Sequence, residues 1–159
     1  MKFETMIKPN IPIARCLIVD ADCFAANKVE KCLVALPWIR LLGIVSDAGG
    51  ARAVLSENQS LDVIFFGTGV NNAHAFEIAA ALRDHVTCMV FIGDNNESAL
   101  KAFQVGGDHF VQRRLLVSDF TKTLGELIIK KLDSAEKINV SNGNLWIPLQ
   151  TGNSTNQFL

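Results

Sequence analysis

Short apolar runs alternate with helical apolar spacing along most of this chain. The apolar runs predict strands at residues 16–19, 39–45, 61–66, 87–92 and 110–111. Apolar residues three and four positions apart predict helices at residues 24–36, 49–55, 73–83, 96–105 and 118–132. Pro37 ends the first helix, Gly106-Gly107 ends the fourth, and Ser118 is a candidate N-cap for the last. The pattern therefore indicates five strands alternating strictly with five helices.

This alternation predicts an α/β fold in which helices cover both faces of a parallel sheet. The commonest arrangement for five strands is the flavodoxin-like, doubly wound sheet with strand order 2-1-3-4-5. Its functional site lies at the carboxyl ends of strands 1 and 3, where the strand order reverses. The residues expected at or near that edge are Asp20, Ala21, Asp22, Gly67, Gly93, Asp94 and Arg113.

The pattern changes after residue 132. Two apolar segments, 137–140 and 145–149, flank Ser141-Asn142-Gly143-Asn144, and an Asn-Gly pair in that setting predicts a β-hairpin. Polar residues 150–157 are expected to fray. We therefore divide the chain into an N-terminal extension (1–14), one domain (15–132) and a C-terminal hairpin or tail (133–159).

Composition narrows the class of protein. The chain has 159 residues, of which 49% are hydrophobic and 19% charged, as expected for one globular domain. A net charge of -1 argues against a large nucleic-acid footprint. No apolar run reaches the roughly 18 residues of a membrane helix, and no signal peptide is apparent, so we expect a cytoplasmic protein. The four cysteines form no Cys-x-x-Cys pair and are expected to act as small buried hydrophobes.

Several motifs carry a resemblance to a known family. They are Leu17-Ile18-Val19-Asp20-Ala21-Asp22, Leu61-Asp62-Val63-Ile64-Phe65-Phe66-Gly67 and, most specifically, Ala99-Leu100-Lys101-Ala102-Phe103-Gln104-Val105-Gly106-Gly107. With these motifs, residues 15–132 resemble a response-regulator receiver domain (CheY-like) of the LytR/AlgR type. His109-Phe110-Val111-Gln112-Arg113-Arg114 stands where that family has Asp-Tyr-Leu-x-Lys-Pro.

The resemblance implies a phosphorelay in which a histidine kinase phosphorylates an aspartate at the end of strand 3 with the help of Mg²⁺. This chain keeps Asp20 and Asp22 but departs from the family at several other key positions. Gly67 replaces the acceptor, Ala21 the second acid, Gly93 the Thr or Ser, and Arg113 the Lys. Phe110 lacks the phenol hydroxyl, and Arg114 replaces the usual Pro. We therefore predict a pseudo-receiver that is not an enzyme, needs no Mg²⁺ and acts through protein–protein contacts.

The residues leave several alternatives open at the site. Asp20, Asp22 and Asp94 could form a weak cation site, or could cap helices and pair with Arg113. Arg113 could instead pair with Asp20 across the pocket, or point to solvent. Another acid could accept the phosphoryl group, although Asp62 lies about 16 Å from Gly67 at strand rise. The vacated pocket could also bind a small ligand.

Partners follow from the same resemblance. Receivers of this type commonly pair through the face of the fourth helix, fifth strand and last helix, so we predict contacts with a histidine kinase, another regulator or a second copy. The residues predicted on this face are Phe103, Phe110, Arg113, Arg114, Asp119 and Lys122. An ordinary solvated surface, with Phe103 in the core, is the alternative. His109 is a possible pH-sensitive contact or a surface residue.

The tail suggests one further alternative. Residues 137–149 weakly resemble the opening of a LytTR DNA-binding domain, so the chain could be a fragment of a longer transcription regulator. The chain as given is expected to bind neither nucleic acid nor membrane.

Overall fold

A computed structural model describes residues 13–58, 61–69 and 72–144. Within this part of the chain, five strands form one parallel sheet of order β2-β1-β3-β4-β5. The strands are β1 (Ala14–Val19), β2 (Ile39–Val45), β3 (Leu61–Gly67), β4 (Val86–Gly93) and β5 (His109–Gln112). The predicted fold class and strand order are confirmed.

Helices connect successive strands. The first four are α1 (Cys23–Leu33), α2 (Ala48–Asn58), α3 (Ala75–Leu82) and α4 (Asn96–Gln104). The predicted glycine stop after α4 is confirmed: Gly106 has φ 91°, and its N–H donates to the Phe103 carbonyl at 3.1 Å. The first helix ends earlier than predicted, at Leu33, because Val34 already forms the C-cap.

After β5 the chain continues through helical turns. A 3-10 turn (Arg113–Leu115) leads into α5 (Leu116–Asp119), a π-helical turn (Phe120–Leu124) and α6 (Gly125–Asn144). Buried Leu116 anchors the start of α5, and its N–H bonds the Arg113 carbonyl. The predicted N-cap at Ser118 is therefore wrong, since Ser118 lies inside α5.

The predicted C-terminal hairpin is also wrong where the structure describes it. Residues 137–144, its first arm and turn, belong to α6. Extending a helix adds one hydrogen bond per residue without a new nucleation cost, whereas an isolated two-stranded hairpin is marginal in water. The second arm, 145–149, lies outside the described residues, and the division of the chain at residue 132 stays a prediction.

The core has two halves, one on each face of the sheet. One half packs α1 and the helical turns after β5 against β1, β3 and β4. The other packs α2, α3 and α4 against the opposite face, where Phe91 stacks on Phe66 and Phe76 with ring centroids 5.0 and 5.5 Å apart. With both faces covered, the carboxyl edge of the sheet remains for a site.

The prediction that the cysteines are buried is confirmed for two of the four. Cys16 and Cys88 are fully buried, and burial raises the pKa of both thiols, that of Cys88 to about 12. Cys32 is half-buried, and Cys23 is exposed at the start of α1. Among the described residues no helix is long and apolar enough to cross a membrane.

Candidate functional site

The side chain of Asp20, directly after β1, is buried at the carboxyl edge of the sheet, with 4% of its surface exposed. Its Oδ1 accepts hydrogen bonds from the Asp22 N–H and from Nδ2 of Asn72, both at 2.9 Å. The Asn72 Oδ1 accepts the Ala21 N–H at 2.8 Å. Asn72 therefore holds both the Asp20 carboxylate and the backbone beside it.

Gly67, the last residue of β3, stands directly against this carboxylate. A Cβ at position 67 would overlap Oδ2 and Cγ of Asp20 and would lie 2.8 Å from Oδ1. Real Cβ atoms do not approach other atoms so closely. The Asp20 carboxylate thus occupies the space that a side chain at position 67 would need.

The space beside a second glycine, Gly93 at the end of β4, is also occupied by a neighbouring side chain. Thr68 is 3% exposed, and its N–H and Oγ1–H both donate to the Ile92 carbonyl, at 3.0 and 3.1 Å. A Cβ on Gly93 would overlap Thr68 Oγ1 and would meet Cε1 and Cζ of Phe110 at 3.1 Å. The Thr68 hydroxyl thus occupies the space that a side chain at position 93 would need.

Arg113 does not pair with Asp20, so that prediction is wrong. Its Nη2 donates to the Thr68 carbonyl at 2.7 Å and to the Ile92 carbonyl at 3.3 Å, while Nε lies 3.5 Å from Asp94 Oδ1. Two carbonyls across β3 and β4 attract the guanidinium fork, whereas Asp20 is already held by Asn72. The predicted pairing with Asp94 is confirmed, but Asp94 is 67% exposed and contributes little stability.

The three carboxylates of the weak cation site are engaged separately. Asp22 is the N-cap of α1 and accepts the N–H groups of Phe24 and Ala25, Asp94 faces Arg113, and Asp20 is bound to Asn72. In the described part of the chain no three acidic, His or Cys side chains come together as a metal site would require. Asp62 lies near the start of β3, where it accepts the Arg15 N–H, far from this edge.

Sequence reasoning missed Thr68 and Asn72. Thr68 directly follows the tip of β3, and Asn72 stands a few residues further on; neither belongs to a recognisable motif. The available signal was their position just after β3, where any polar side chain can reach the edge.

The predicted interaction face contains a groove of about 290 Å³ along β5, which is the edge strand of the sheet. Its lining residues are Phe103, Asp108, His109, Phe110, Val111, Asp119, Leu124 and Leu127. Phe103 is 53% exposed, so the alternative that placed it in the core is wrong. Arg114 and Lys122 are exposed, whereas Arg113 is held at the carboxyl edge.

A larger cavity of about 360 Å³ lies on the α2–α3 side of the same edge. Its lining residues are Val19, Ser46, Asp47, Ala48, Asn72, Ala73, His74, Ala75, Glu77 and Ile78. Gly67 and Gly93 are not among its lining residues.

We expect the stability of the domain to depend on pH through His109, which lines the groove. Burial lowers its pKa below the ordinary 6.5, Asp108 raises it in part, and Lys131 lowers it further. Between the lowered pKa and 6.5 the unfolded chain binds more protons, so stability is full above pH 6.5 and is lost as the pH falls through that window. We expect His109→Gln to remove this component in urea unfolding from about pH 8 to pH 5. His85→Gln replaces an exposed histidine and should leave this pH dependence in place. If the unfolding free energy changes with pH to the same extent in both variants, the prediction is contradicted.

Comparisons with known proteins bear on the fold. No protein-family model matches the sequence, and neither does any curated protein. Solved structures do match: a signal receiver domain from Mycobacterium tuberculosis (19% identity, TM-score 0.57, 79% of this chain and 98% of that one). Others are the response regulatory domain of mrkE from Klebsiella pneumoniae (18%, 0.57, 76% and 96%) and the response regulator domain of Thermotoga maritima CheB (17%, 0.62, 76% and 97%). The chain therefore has the fold of response-regulator receiver domains.

Proposed function

We propose that this protein is a receiver-like module of two-component signalling that acts in the cytoplasm through protein contacts and is not phosphorylated. It is a degenerate receiver of the LytR/AlgR type and not an enzyme. One observation carries the proposal: the Asp20 carboxylate fills the space beside Gly67, where the acceptor aspartate of a receiver would stand.

The chemistry of phosphoryl transfer supports this proposal. The acceptor must be a nucleophile that can approach the phosphorus, and Gly67 has no side chain. Among the described residues no three acidic, His or Cys side chains converge as a metal site would require: Asp20 is held by Asn72, Asp22 caps α1 and Asp94 faces Arg113. Arg113 is held by two backbone carbonyls, so its charge is directed at the protein itself. We therefore infer that neither Mg²⁺ nor another cofactor serves this site.

The face along β5 is where we place the contacts. Phe103 and Asp119 line the groove, where Phe103 is exposed and Asp119 half-buried, and the basic residues Arg114 and Lys122, which flank Asp119 in the sequence, are exposed. An apolar centre with charges of both signs around it suits a second copy of this chain or another regulator. A histidine kinase that uses the domain as a binding partner would meet the same surface.

The test is incubation with acetyl phosphate and Mg²⁺, followed by intact mass spectrometry and sedimentation. We expect no phosphate adduct and no change in oligomeric state, while a phosphorylatable receiver treated in parallel gains the adduct. An adduct on this chain would overturn the proposal, and peptide mapping would then identify the acid that accepts the group. Phe103→Asp should weaken any self-association that the wild type shows, and unchanged association would remove the β5 face from the proposal.

A further inference from the structure

We propose that the site is a self-filled lock. The Asp20 carboxylate, held by Asn72, fills the space beside Gly67 and fixes the ends of β1 and β3. The Thr68 hydroxyl and the Phe110 ring fill the space beside Gly93, and this holds the β5 groove in one conformation. The inference rests on the proposed function, because a site that accepts a phosphoryl group must open.

The first half of the lock is the pairing of Asp20 with Gly67. A buried carboxylate persists only when hydrogen bonds satisfy it, and Asp20 receives them from Asn72 and from the Asp22 backbone. Asn72 also accepts the Ala21 N–H, so the loop after β3 is tied to the loop after β1. The carboxylate can occupy this position only because β3 ends in a residue without a Cβ.

The second half ties three strand ends to one backbone carbonyl. Ile92, in β4, accepts hydrogen bonds from the N–H and the hydroxyl of Thr68 and from Nη2 of Arg113. Thr68 follows β3, and Arg113 follows β5. Any rearrangement of one strand end therefore breaks hydrogen bonds to the other two, and the buried groups would lose their partners.

The lock reaches the groove through Phe110. The Phe110 ring lies against Gly93, with Cε1 and Cζ 3.1 Å from where a Cβ would stand. The same ring lines the groove together with Phe103 and His109. Because a side chain at position 93 would have to displace Thr68 and would also press on the Phe110 ring, the glycine there helps to set the shape of the groove.

A double-mutant cycle tests the first half. We expect Gly67→Ala to lower the melting temperature by about 4–12 °C, as overpacking does in a domain of this size. In the Asp20→Ala background, where the overlapping atoms are gone, the same change should shift it by less than about 2 °C. An Asn72→Ala background should also reduce the cost, because the carboxylate can then move aside, whereas His74→Ala in the same loop should not.

Gly43→Ala is the matched control, since β2 leaves room at position 43: a Cβ there lies 3.9 Å from Leu17 and from Val54. Equal costs of Gly67→Ala with and without Asp20 would overturn the lock. If the Gly67→Ala variant does not fold, the test is the melting temperature of Asp20→Ala/Gly67→Ala against that of Asp20→Ala. The lock requires the two melting temperatures to be similar.

Amide chemical shifts test the reach to the groove. Gly93→Ala should move the amide resonances of Phe103, His109 and Leu127, and Gly43→Ala should leave them in place. Shift changes confined to Thr68 and Ile92 would overturn the connection with Phe110. Neither the melting temperatures nor the chemical shifts measure phosphorylation. If the lock fails these tests, the acetyl phosphate experiment still tests the proposed function. If a phosphate adduct forms, the outcome of the double-mutant cycle is not changed by it.

Discussion

Replacing Gly67 with aspartate is expected to destabilise the domain by at least about 3 kcal/mol and not to create a phosphorylation site. The new side chain would overlap the Asp20 carboxyl group and would bring a second negative charge into contact with it. Ala21 and Gly93 still lack the acid and the hydroxyl that the resemblance calls for, so an added carboxylate remains without its helpers. Urea unfolding gives the loss of stability, and intact mass after acetyl phosphate treatment gives the labelling.

Two variants separate the causes of this loss. Gly67→Asn has almost the same shape without the charge, so it should retain the steric cost and lose the repulsion. Asp20→Gly/Gly67→Asp moves the carboxylate from one side of the contact to the other and should recover much of the stability lost in the single variant. Efficient labelling of Gly67→Asp alone would contradict the prediction.

Phe91→Ala should cost about 3–5 kcal/mol of unfolding free energy. Phe91 is fully buried and stacks between Phe66 and Phe76, so truncation leaves a cavity that rigid neighbouring rings cannot fill. The ring also lies so close to Gly107, before β5, that a Cβ there would stand 2.8 Å from it. Loss of the ring should therefore loosen the start of β5 as well as the core.

Phe24→Ala is the control for this prediction, because Phe24 is 79% exposed on α1. Its truncation should change stability by no more than about 0.5 kcal/mol. The two variants remove the same atoms from opposite environments, and chemical denaturation compares them directly. Similar losses in both would mean that burial in this core does not decide the cost.

Much of the fold could be predicted because burial on both faces leaves a strong pattern. Residues 63–66 and 89–92 are continuous apolar runs, and they became the central strands β3 and β4. Ser118 and residues 137–144 were misread because local signals for a cap and a turn were outweighed by the continuing helix after β5. Local turn chemistry decides a boundary only where tertiary packing does not.

The site was predictable as a place, but not as an arrangement. Parallel topology brings the ends of β1, β3, β4 and β5 to one edge, so Asp20, Gly67, Gly93 and Arg113 could be named in advance. The partner of Arg113 could not, because a guanidinium finds its acceptors among carbonyls and carboxylates whose relative positions no sequence pattern encodes.

The sequence by itself determined the alternation of strands and helices, the burial of the central strands on both faces and the lack of a side chain at Gly67, because these depend on periodicity and on which side chains exist. Only the tertiary structure decided what stands in the vacated space. Asp20 and Thr68 fill it from neighbouring positions, since atoms of different strands exclude one another only when the chain is folded. The lack of a side chain at Gly67 is what lets the Asp20 carboxylate lie against the end of β3.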